Sequence, residues 1–214
     1  EFVLNRFDSY SLDFEVNDIV ISNGDIVKIE CFEATNTENL LAESNTTITL
    51  PEPENIAEGT IEGTSIAWVI DAEGTLTVSG EGAIPDYSRT ALNPWTSYAK
   101  QINKIVVANG VTKIGNYAFY NLTKATAIEI SESVKTLGTQ FIRGTAITEV
   151  VLPAVERIHE QAFVRADRLT TVIAGESVKD IWGPMFFAET VTVKAPAKSY
   201  IARYAEGFSE YFTV

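Results

Sequence analysis

Few side chains of this chain could do chemistry, because it contains one histidine, His159, and one cysteine, Cys31. A Ser-His-Asp or Cys-His arrangement needs a histidine as its general base, so it would have to be built around His159. Glu156 and Glu160 stand beside this histidine, which favours a solvated turn; a catalytic or pH-sensitive role is the alternative. One histidine and one cysteine cannot assemble a zinc site. We therefore expect no enzyme, no metal and no cofactor.

Paired carboxylates are the remaining route to catalysis, since two of them can act as general acid and base. Glu156 with Glu160, or Asp167 with Glu176, could meet across the structure. Charged residues make up 21% of the chain, so such pairs are expected without any function. The amino-terminal acids lack the Asp-x-Asp-x-Asp-Gly pattern of a calcium loop, and a solvated acidic face is predicted instead. These acids are Asp13, Glu15, Asp18 and Asp25.

Two further side chains have a chemical and a structural interpretation. Trp182 lies on a predicted turn, where an exposed indole could stack on a sugar ring. More often such a residue seals a core or a cap. Cys31 alternates with Val27 and Ile29, which favours a small buried apolar residue over a reactive or pairing thiol.

The net charge of −13 is concentrated at the amino terminus. Residues 1–63 hold 14 acidic and 2 basic side chains, whereas residues 64–214 hold 15 and 14. An acidic chain without a basic stripe repels phosphate backbones, which argues against nucleic acid as a partner. No run of eighteen apolar residues predicts a transmembrane segment. The chain opens without an export signal, which we expect to have been cleaved or left out.

A repeat of about 22 residues organises the second half of the chain. Four valines, spaced by 23, 21 and 23 residues, mark its register: Val111, Val134, Val155 and Val178. A branched aliphatic follows each valine by three residues: Ile114, Leu137, Ile158 and Ile181. A large apolar residue follows each by eight: Phe119, Ile142, Phe163 and Phe186. Such units cannot bury an apolar face alone, so they stack into a solenoid. The period is that of leucine-rich repeats, with one strand per coil.

A short strand precedes each valine, with two side chains directed to the core. These core positions are Ile105, Val107, Ile128, Ile130, Val150, Leu152, Val172 and Ala174. The alternate side chains point to the open inner face and are the first candidates for a binding site. They are Lys104, Val106, Ala127, Glu129, Glu149, Val151, Thr171, Ile173, Thr190 and Thr192. Small and β-branched residues are also what any exposed strand tolerates, so a purely structural ladder is the alternative.

The flanking segments are predicted to close the solenoid, since its terminal coils would otherwise expose core. Residues 68–71 and 75–78 read as a hairpin, residues 79–85 as a turn-rich link, and residues 94–99 as a short helix. Downstream, a helix between Pro196 and Gly207 carries Tyr200, Ile201 and Tyr204 on one face.

Four short strands are predicted near the amino terminus, at residues 10–16, 19–21, 26–32 and 46–50, with a linker through Gly59 and Gly63. The predicted fold is therefore α/β but strand-rich, a short leucine-rich-repeat solenoid with terminal caps. Residues 1–58 form a small acidic all-β module or partial β-sandwich, and residues 59–214 the repeat domain. The repeat domain comprises a cap at 64–101, coils at 102–193 and a carboxy-terminal cap at 194–214.

Two stretches of sequence carry a resemblance to a known family. VTKIGNYAFYNL (residues 111–122), repeated as VERIHEQAF (155–163), resembles the BspA-like leucine-rich repeats of bacterial surface proteins. GTLTVSGEGAIPDY (74–87) and VTVKAPAKSYIARY (191–204) are similar to the amino-terminal cap and the ending of such proteins. The resemblance covers residues 64–205. This chain departs from it where a turn glycine, present as Gly115 and Gly138, becomes His159 and Trp182.

The resemblance implies an exported protein of the bacterial cell surface, without shared catalytic residues. It implies adhesion, with a host extracellular or cell-surface protein, or another cell, as the partner. A non-catalytic binding module acting through the repeat surface is therefore our first hypothesis. A carbohydrate-binding module centred on Trp182, and a structural spacer within a larger surface protein, are the alternatives.

Overall fold

The computed structural model describes residues 26–33, 36–47, 54–185, 191–207 and 212–213. The chain divides into two compact units, Glu1–Glu52 and Pro53–Val214.

The first unit contains an antiparallel strand pair, β1 (Ile26–Glu33) and β2 (Asn36–Thr47). Ile26 lies opposite Thr47, and the register shifts near the turn, after Cys31. The strand expected at 26–32 is confirmed. β2 was expected only from Thr46 onward, because its polar sequence shows no alternation. The strands predicted at 10–16 and 19–21, the candidate calcium acids and the side chain of Cys31 lie outside the described residues.

The second unit is built from thirteen short strands, one single-turn 3-10 helix (Thr96–Tyr98) and one α-helix among its described residues. In chain order they are β3 (Ala57–Thr60), β4 (Ser65–Ile70), β5 (Thr75–Ala83), β6 (Lys104–Val107), β7 (Val111–Ile114), β8 (Ala127–Ile130), β9 (Thr136–Leu137), β10 (Glu149–Leu152), β11 (Arg157–Ile158), β12 (Thr171–Ala174), β13 (Asp180–Ile181), β14 (Val191–Lys194), α1 (Tyr200–Gly207) and β15 (Phe212–Thr213).

The predicted solenoid is confirmed, but each coil contributes two strands, one to each of two parallel sheets, and not the single strand expected from the sequence. In the first sheet β6 pairs with β8, and β10, β12, β14 and β15 pair in succession; β8 lies next to β10, but among the described residues no strand pairing joins them. The second contains β7, β9, β11 and β13. Neighbouring strands pair across 21 to 23 residues, for example Lys113 with Thr136 and Arg157 with Asp180. This spacing is the repeat length read from the sequence.

Turns form the third side of each coil and repeat in register. Tyr117, Gln140 and Gln161 have positive φ angles of 53°, 50° and 59°. This region is costly for residues other than glycine. Each residue donates its backbone N–H to a carbonyl of the next coil, at 3.0, 3.1 and 2.7 Å. The same hydrogen bond in successive coils offsets the cost of the conformation, so the turn persists in the third coil, where the glycine is lost.

The predicted core columns are buried. The register valines, the aliphatic residues that follow them, and Phe119, Ile142 and Phe163 are all at most 8% exposed. Phe163 packs edge-to-face on Phe141, with ring centroids 5.5 Å apart. Ile130 is only half-buried, and Phe186 lies outside the described residues.

The amino-terminal cap is a continuation of both sheets. β3, β4 and β5 form an antiparallel sheet, so Gly59 belongs to a strand and not to the expected linker. The turn-rich link expected at 79–85 was also wrong, because β5 runs on to Ala83. Gly80 and Gly82 have φ angles of 112° and 108°, which let the strand bend. Its first half pairs with β6 and its end pairs with β7, so one strand starts both sheets.

Aromatic residues fill this cap. The predicted helix at 94–99 is a single 3-10 turn, and the preceding Trp95 is fully buried. Its ring stacks on Phe119 of the first coil at 5.8 Å, and its Nε1 donates to the Ala118 carbonyl. The cap and the first coil therefore share one core.

The carboxy-terminal helix α1 covers the other end, but not with the expected face. Ile201, Ala202 and Ala205 are buried, whereas Tyr200 is 39% exposed. The two alanines let the helix backbone approach the core closely, which moves Tyr200 to the solvent side. The Tyr204 hydroxyl donates to the Gly183 carbonyl and accepts the N–H of Met185, which ties the helix to the last coil.

Candidate functional site

The predicted inner-face residues form one surface on the first sheet, which we call the strand face. Backbone pairing aligns these residues between β6 and β8 and again from β10 through β12 to β14, and the repeat spacing relates the two sets as two rows. One row contains Lys104, Ala127, Glu149, Thr171 and Thr192, and the other Val106, Glu129, Val151, Ile173 and Lys194. All ten side chains are exposed or half-buried, with Val151 at 45%.

The last coil of the strand face corrects the expected register. Thr192 pairs with Thr171, so the position opposite Ile173 is Lys194. Sequence reasoning had placed Thr190 and Thr192 in these two rows; Thr190 lies outside the described residues. The fifth repeat has no register valine to count from, which explains the shift of two residues.

The strand face is mixed in polarity: one of its rows holds three apolar residues and two charged ones, Glu129 and Lys194. Lys104 Nζ lies 2.7 Å from Glu129 Oε1 across β6 and β8. Both side chains are well exposed, so this ion pair contributes little to stability. Beyond it, Val151 and Ile173 lie side by side on β10 and β12. They form a small apolar patch beside the pair of Glu149 and Thr171.

A second surface lies on the third and fourth coils, where the turn glycine of the first two coils is replaced by larger residues. A Cβ atom added at Gly115 would clash with the Pro85 carbonyl oxygen, and one added at Gly138 would lie 2.5 Å from the Asn116 nitrogen. The first coil thus lies too close to the cap, and the second coil too close to the first, for a side chain at this position. The third and fourth coils carry His159 and Trp182 there instead.

His159 and Trp182 stack on each other across these coils, with ring centroids 4.3 Å apart. The Arg157 guanidinium lies 5.3 Å from the centroid of the same indole. Asp180 Oδ2 accepts the Trp182 Nε1 hydrogen bond at 2.6 Å and that of Arg157 Nε at 3.2 Å. The indole is therefore fixed by three contacts, yet Trp182 is 46% exposed. It does not seal a core.

A shallow groove of about 170 Å³ runs over β9, β11 and β13 beside the indole. We call it the cross-coil groove. Its lining residues are Lys135, Thr136, Glu156, Arg157, Lys179 and Asp180. Two ion pairs span it, Arg157 with Asp180 and Lys179 with Glu156, both at 3.2 Å. Lys135 Nζ instead donates to the carbonyls of Glu132 and Ala154.

The surroundings of His159 disfavour the protonated form of its imidazole. Burial of the imidazole lowers the pKa of His159, and the charges of Lys113 and Arg157 add to this effect. Asp86 and Asp180 oppose the shift without reversing it. Burial raises the pKa of Asp86, but hydrogen bonds from Lys113 and the Asn116 N–H outweigh it and hold that pKa low. His159 therefore packs against an indole, whereas the sequence analysis had favoured a solvated turn.

The chemistry considered from the sequence finds little geometric support. Glu156 pairs with Lys179, not with Glu160. Within the part of the chain that the structure describes, no group of three His, Cys, Asp or Glu side chains is arranged to hold a metal ion. None of the helices in that part is long and apolar enough to cross a membrane.

Sequence reasoning found Trp182 but missed the groove beside it. The groove residues Thr136, Arg157 and Asp180 each stand just before the aliphatic column, at spacings of 21 and 23 residues. They could have been found by extending the column analysis one residue to the left. Their pairing across coils, however, becomes visible only in the folded register.

Comparisons with known proteins agree with this architecture. A family model described as the BspA type leucine-rich repeat region matches residues 95–202 in six copies. No curated protein matches the chain.

One solved structure shows the same type of fold, and a second is reported beside it. A leucine-rich repeat protein from Eubacterium ventriosum is similar, with 22% identity and a TM-score of 0.53, covering 64% of this chain and 43% of that one. A leucine rich cell surface protein from Faecalibacterium prausnitzii gives 23% identity, a TM-score of 0.41, and coverage of 68% and 44%. The chain thus spans less than half of the length of either protein.

Proposed function

Because this chain belongs to the BspA-type leucine-rich-repeat family, we propose that it is a non-catalytic module that binds a protein partner at the bacterial cell surface. The observation that carries this proposal is the strand face, where β-branched side chains stay exposed in the middle of a regular parallel sheet. Adhesion to a host extracellular or cell-surface protein is the form of binding that we propose.

The composition of the strand face supports a protein partner. Protein interfaces combine an apolar centre with a polar rim. Val151 and Ile173 supply the centre, and Lys104, Glu129 and Lys194 supply charges of both signs around it. Stacked repeats hold such side chains on a rigid support, so little conformational entropy is lost on binding.

The proposal is tested by capture on immobilised extracellular-matrix proteins and on whole cells. Retention of the chain by any one of them provides the assay. Val151→Lys should then weaken binding by at least tenfold, or about 1.4 kcal/mol, because it places a charge in the apolar centre. Leu92→Lys is the matched control, since Leu92 is an equally exposed apolar residue, at 49%, in the amino-terminal cap.

The possible results separate the candidates. Equal losses in the two variants would remove the strand face from the proposal. Failure of every matrix protein and cell type to retain the chain would favour a structural spacer within a larger surface protein.

We also propose that binding belongs to the predicted repeat domain, residues 59–214, and not to the acidic module at residues 1–58. A chain comprising Pro53–Val214, the second compact unit, should bind with the affinity of the full chain. Loss of binding in this shorter chain would assign the partner to the first module or to both parts.

Carbohydrate binding is the second candidate, and one observation favours it. The indole of Trp182 is fixed by neighbouring side chains but is 46% exposed. An immobilised aromatic ring with an open surface suits the apolar face of a sugar ring. Weakened binding of an oligosaccharide by Trp182→Ala would support this candidate.

A further inference from the structure

We infer that Trp182 and the cross-coil groove bind an acidic sugar. The sugar ring lies on the indole, and its carboxylate or sulfate group lies between Lys135 and Arg157. This inference deepens the second candidate function and rests on it. The site is separate from the strand face, which lies on the other sheet.

The aromatic platform is prepared before any ligand arrives. His159 and Arg157, which contact the indole, both come from the preceding coil. Asp180 fixes the indole nitrogen from the same coil as Trp182. Because the ring is already held in one orientation, little conformational entropy is lost when a ligand binds to it. The exposed part of the indole is therefore a ready contact surface.

The charges of the groove favour an anion. Its two carboxylates, on Glu156 and Asp180, are already paired with Lys179 and Arg157. Among the described residues, Lys135 has no carboxylate within ion-pair distance, so the groove carries one uncompensated positive charge. An ammonium group has three N–H donors, and Lys135 directs at most two of them to carbonyl oxygens. One donor remains for a ligand.

The dimensions favour a sugar over a larger partner. β9, β11 and β13 are parallel neighbours, so Lys135 and Trp182 belong to coils roughly 10 Å apart. The groove of about 170 Å³ is smaller than sites for drug-sized ligands, which measure about 300–1,000 Å³. One or two sugar units match this span and leave the rest of the chain in solvent.

The overall charge does not prevent an anion from binding here. Twelve of the thirteen net negative charges belong to residues 1–63, so residues 64–214 are nearly neutral. A nucleic acid would bring many phosphates to a groove with one uncompensated positive charge, whereas a short acidic sugar brings one or two charges. The local positive charge therefore selects a small anionic ligand.

Calorimetric titration of the full chain tests the inference with two pairs of probes. Sialyllactose is compared with lactose, and tri-galacturonate with galactotriose. We expect at least one acidic sugar to bind at least tenfold more tightly than its neutral counterpart. Added salt should weaken that preference, because exposed charges are screened.

Variants then locate the site. Trp182→Ala should weaken binding of the acidic sugar by at least tenfold. Trp182→Phe should weaken it less, because a smaller aromatic ring remains. Lys135→Gln should lower the affinity for the acidic sugar to that for its neutral counterpart. Lys124→Gln, which removes an exposed lysine from a turn outside the groove, should change nothing. Circular dichroism of each variant checks that the fold is retained.

Each contrary result has a distinct meaning. Equal binding of acidic and neutral sugars, lost in Trp182→Ala, would overturn the acidic preference but keep the carbohydrate candidate. Binding that survives both Trp182→Ala and Lys135→Gln would overturn the location. Absence of binding by all four probes would overturn the inference together with the carbohydrate candidate, and would leave the proposal for the strand face intact.

Discussion

Gly138→Ala tests the close approach of the first coils, on which the register of the solenoid depends. The added Cβ would lie 2.5 Å from the Asn116 nitrogen and 2.6 Å from the Gly115 carbonyl carbon. Non-bonded atoms prefer about 3.5–4.0 Å, so the two coils must separate locally by roughly 1 Å. Both obstructing atoms belong to backbone and cannot rotate away.

The expected cost follows from two contributions. Forcing a methyl group into a packed interior costs about 1–3 kcal/mol. The same displacement stretches a chain of hydrogen bonds, from the Asn116 N–H to Asp86 and from the Thr139 N–H to the Asn116 side chain. Net losses of about 1 kcal/mol are typical for such bonds. We expect Gly138→Ala to lower the free energy of unfolding by about 2–4 kcal/mol.

Gly175→Ala is the matched control, since no heavy atom lies within 4 Å of its ideal Cβ and its φ is not positive. This substitution should be neutral, or stabilise by up to about 1 kcal/mol through the unfolded state. Urea denaturation followed by circular dichroism measures both variants. A cost below about 1 kcal/mol for Gly138→Ala, or equal effects in the two variants, would refute the close approach of the coils.

Three further predictions concern the core, the cap and the histidine. Phe163→Ala should cost about 3–5 kcal/mol in urea denaturation and unfold the neighbouring coils with it, because the side chain is 1% exposed; a small, local effect would contradict the column assignment. Tyr87→Phe should stabilise by about 1 kcal/mol at neutral pH, because the buried hydroxyl has no partner among the described residues. Burial raises the pKa of Tyr87 to about 12, so the wild-type chain should lose stability from pH 10 to 12 and the variant less; equal losses would refute this. Burial lowers the pKa of His159, the only histidine, so its imidazole should titrate below pH 6.5 by NMR. Acidification below pH 6.5 should therefore favour the unfolded state. A titration midpoint above 6.5 would refute the packing of His159 on Trp182.

The solenoid could be predicted because its core obeys a strict rule. Each coil must place an aliphatic residue where the next coil also places one, so Val111 and Val134 recur at the repeat length. Burial enforces this spacing, and the sequence alone displays it. The turn geometry followed the same period, since Tyr117 and Gln140 keep their positive φ without a glycine.

The departures from prediction come from features that burial does not dictate. The segment around Gly80 and Gly82 has the composition of a turn. It forms the bend of β5 instead, because the first half of this strand pairs with β6 and its end pairs with β7. Tyr200 fits the apolar periodicity of α1, yet Ala202 takes the inner side because a small residue allows closer packing. Local propensity cannot decide such cases, since the neighbouring strand determines the outcome.

The loss of the turn glycine explains how a regular solenoid comes to carry a site at one place. A Cβ atom at Gly115 or Gly138 would clash with the backbone of Pro85 or Asn116, whereas the third and fourth coils have room for two rings. Trp182 is 46% exposed and so adds little to the buried core. Its indole instead contacts Arg157 and Asp180 at the surface. Positions that break a local rule without a stability gain are where function is expected. His159→Gly with Trp182→Gly would restore the repeat consensus; we expect the double variant to stay folded and to lose the sugar. Retained sugar binding in that variant would assign the irregular column to packing alone.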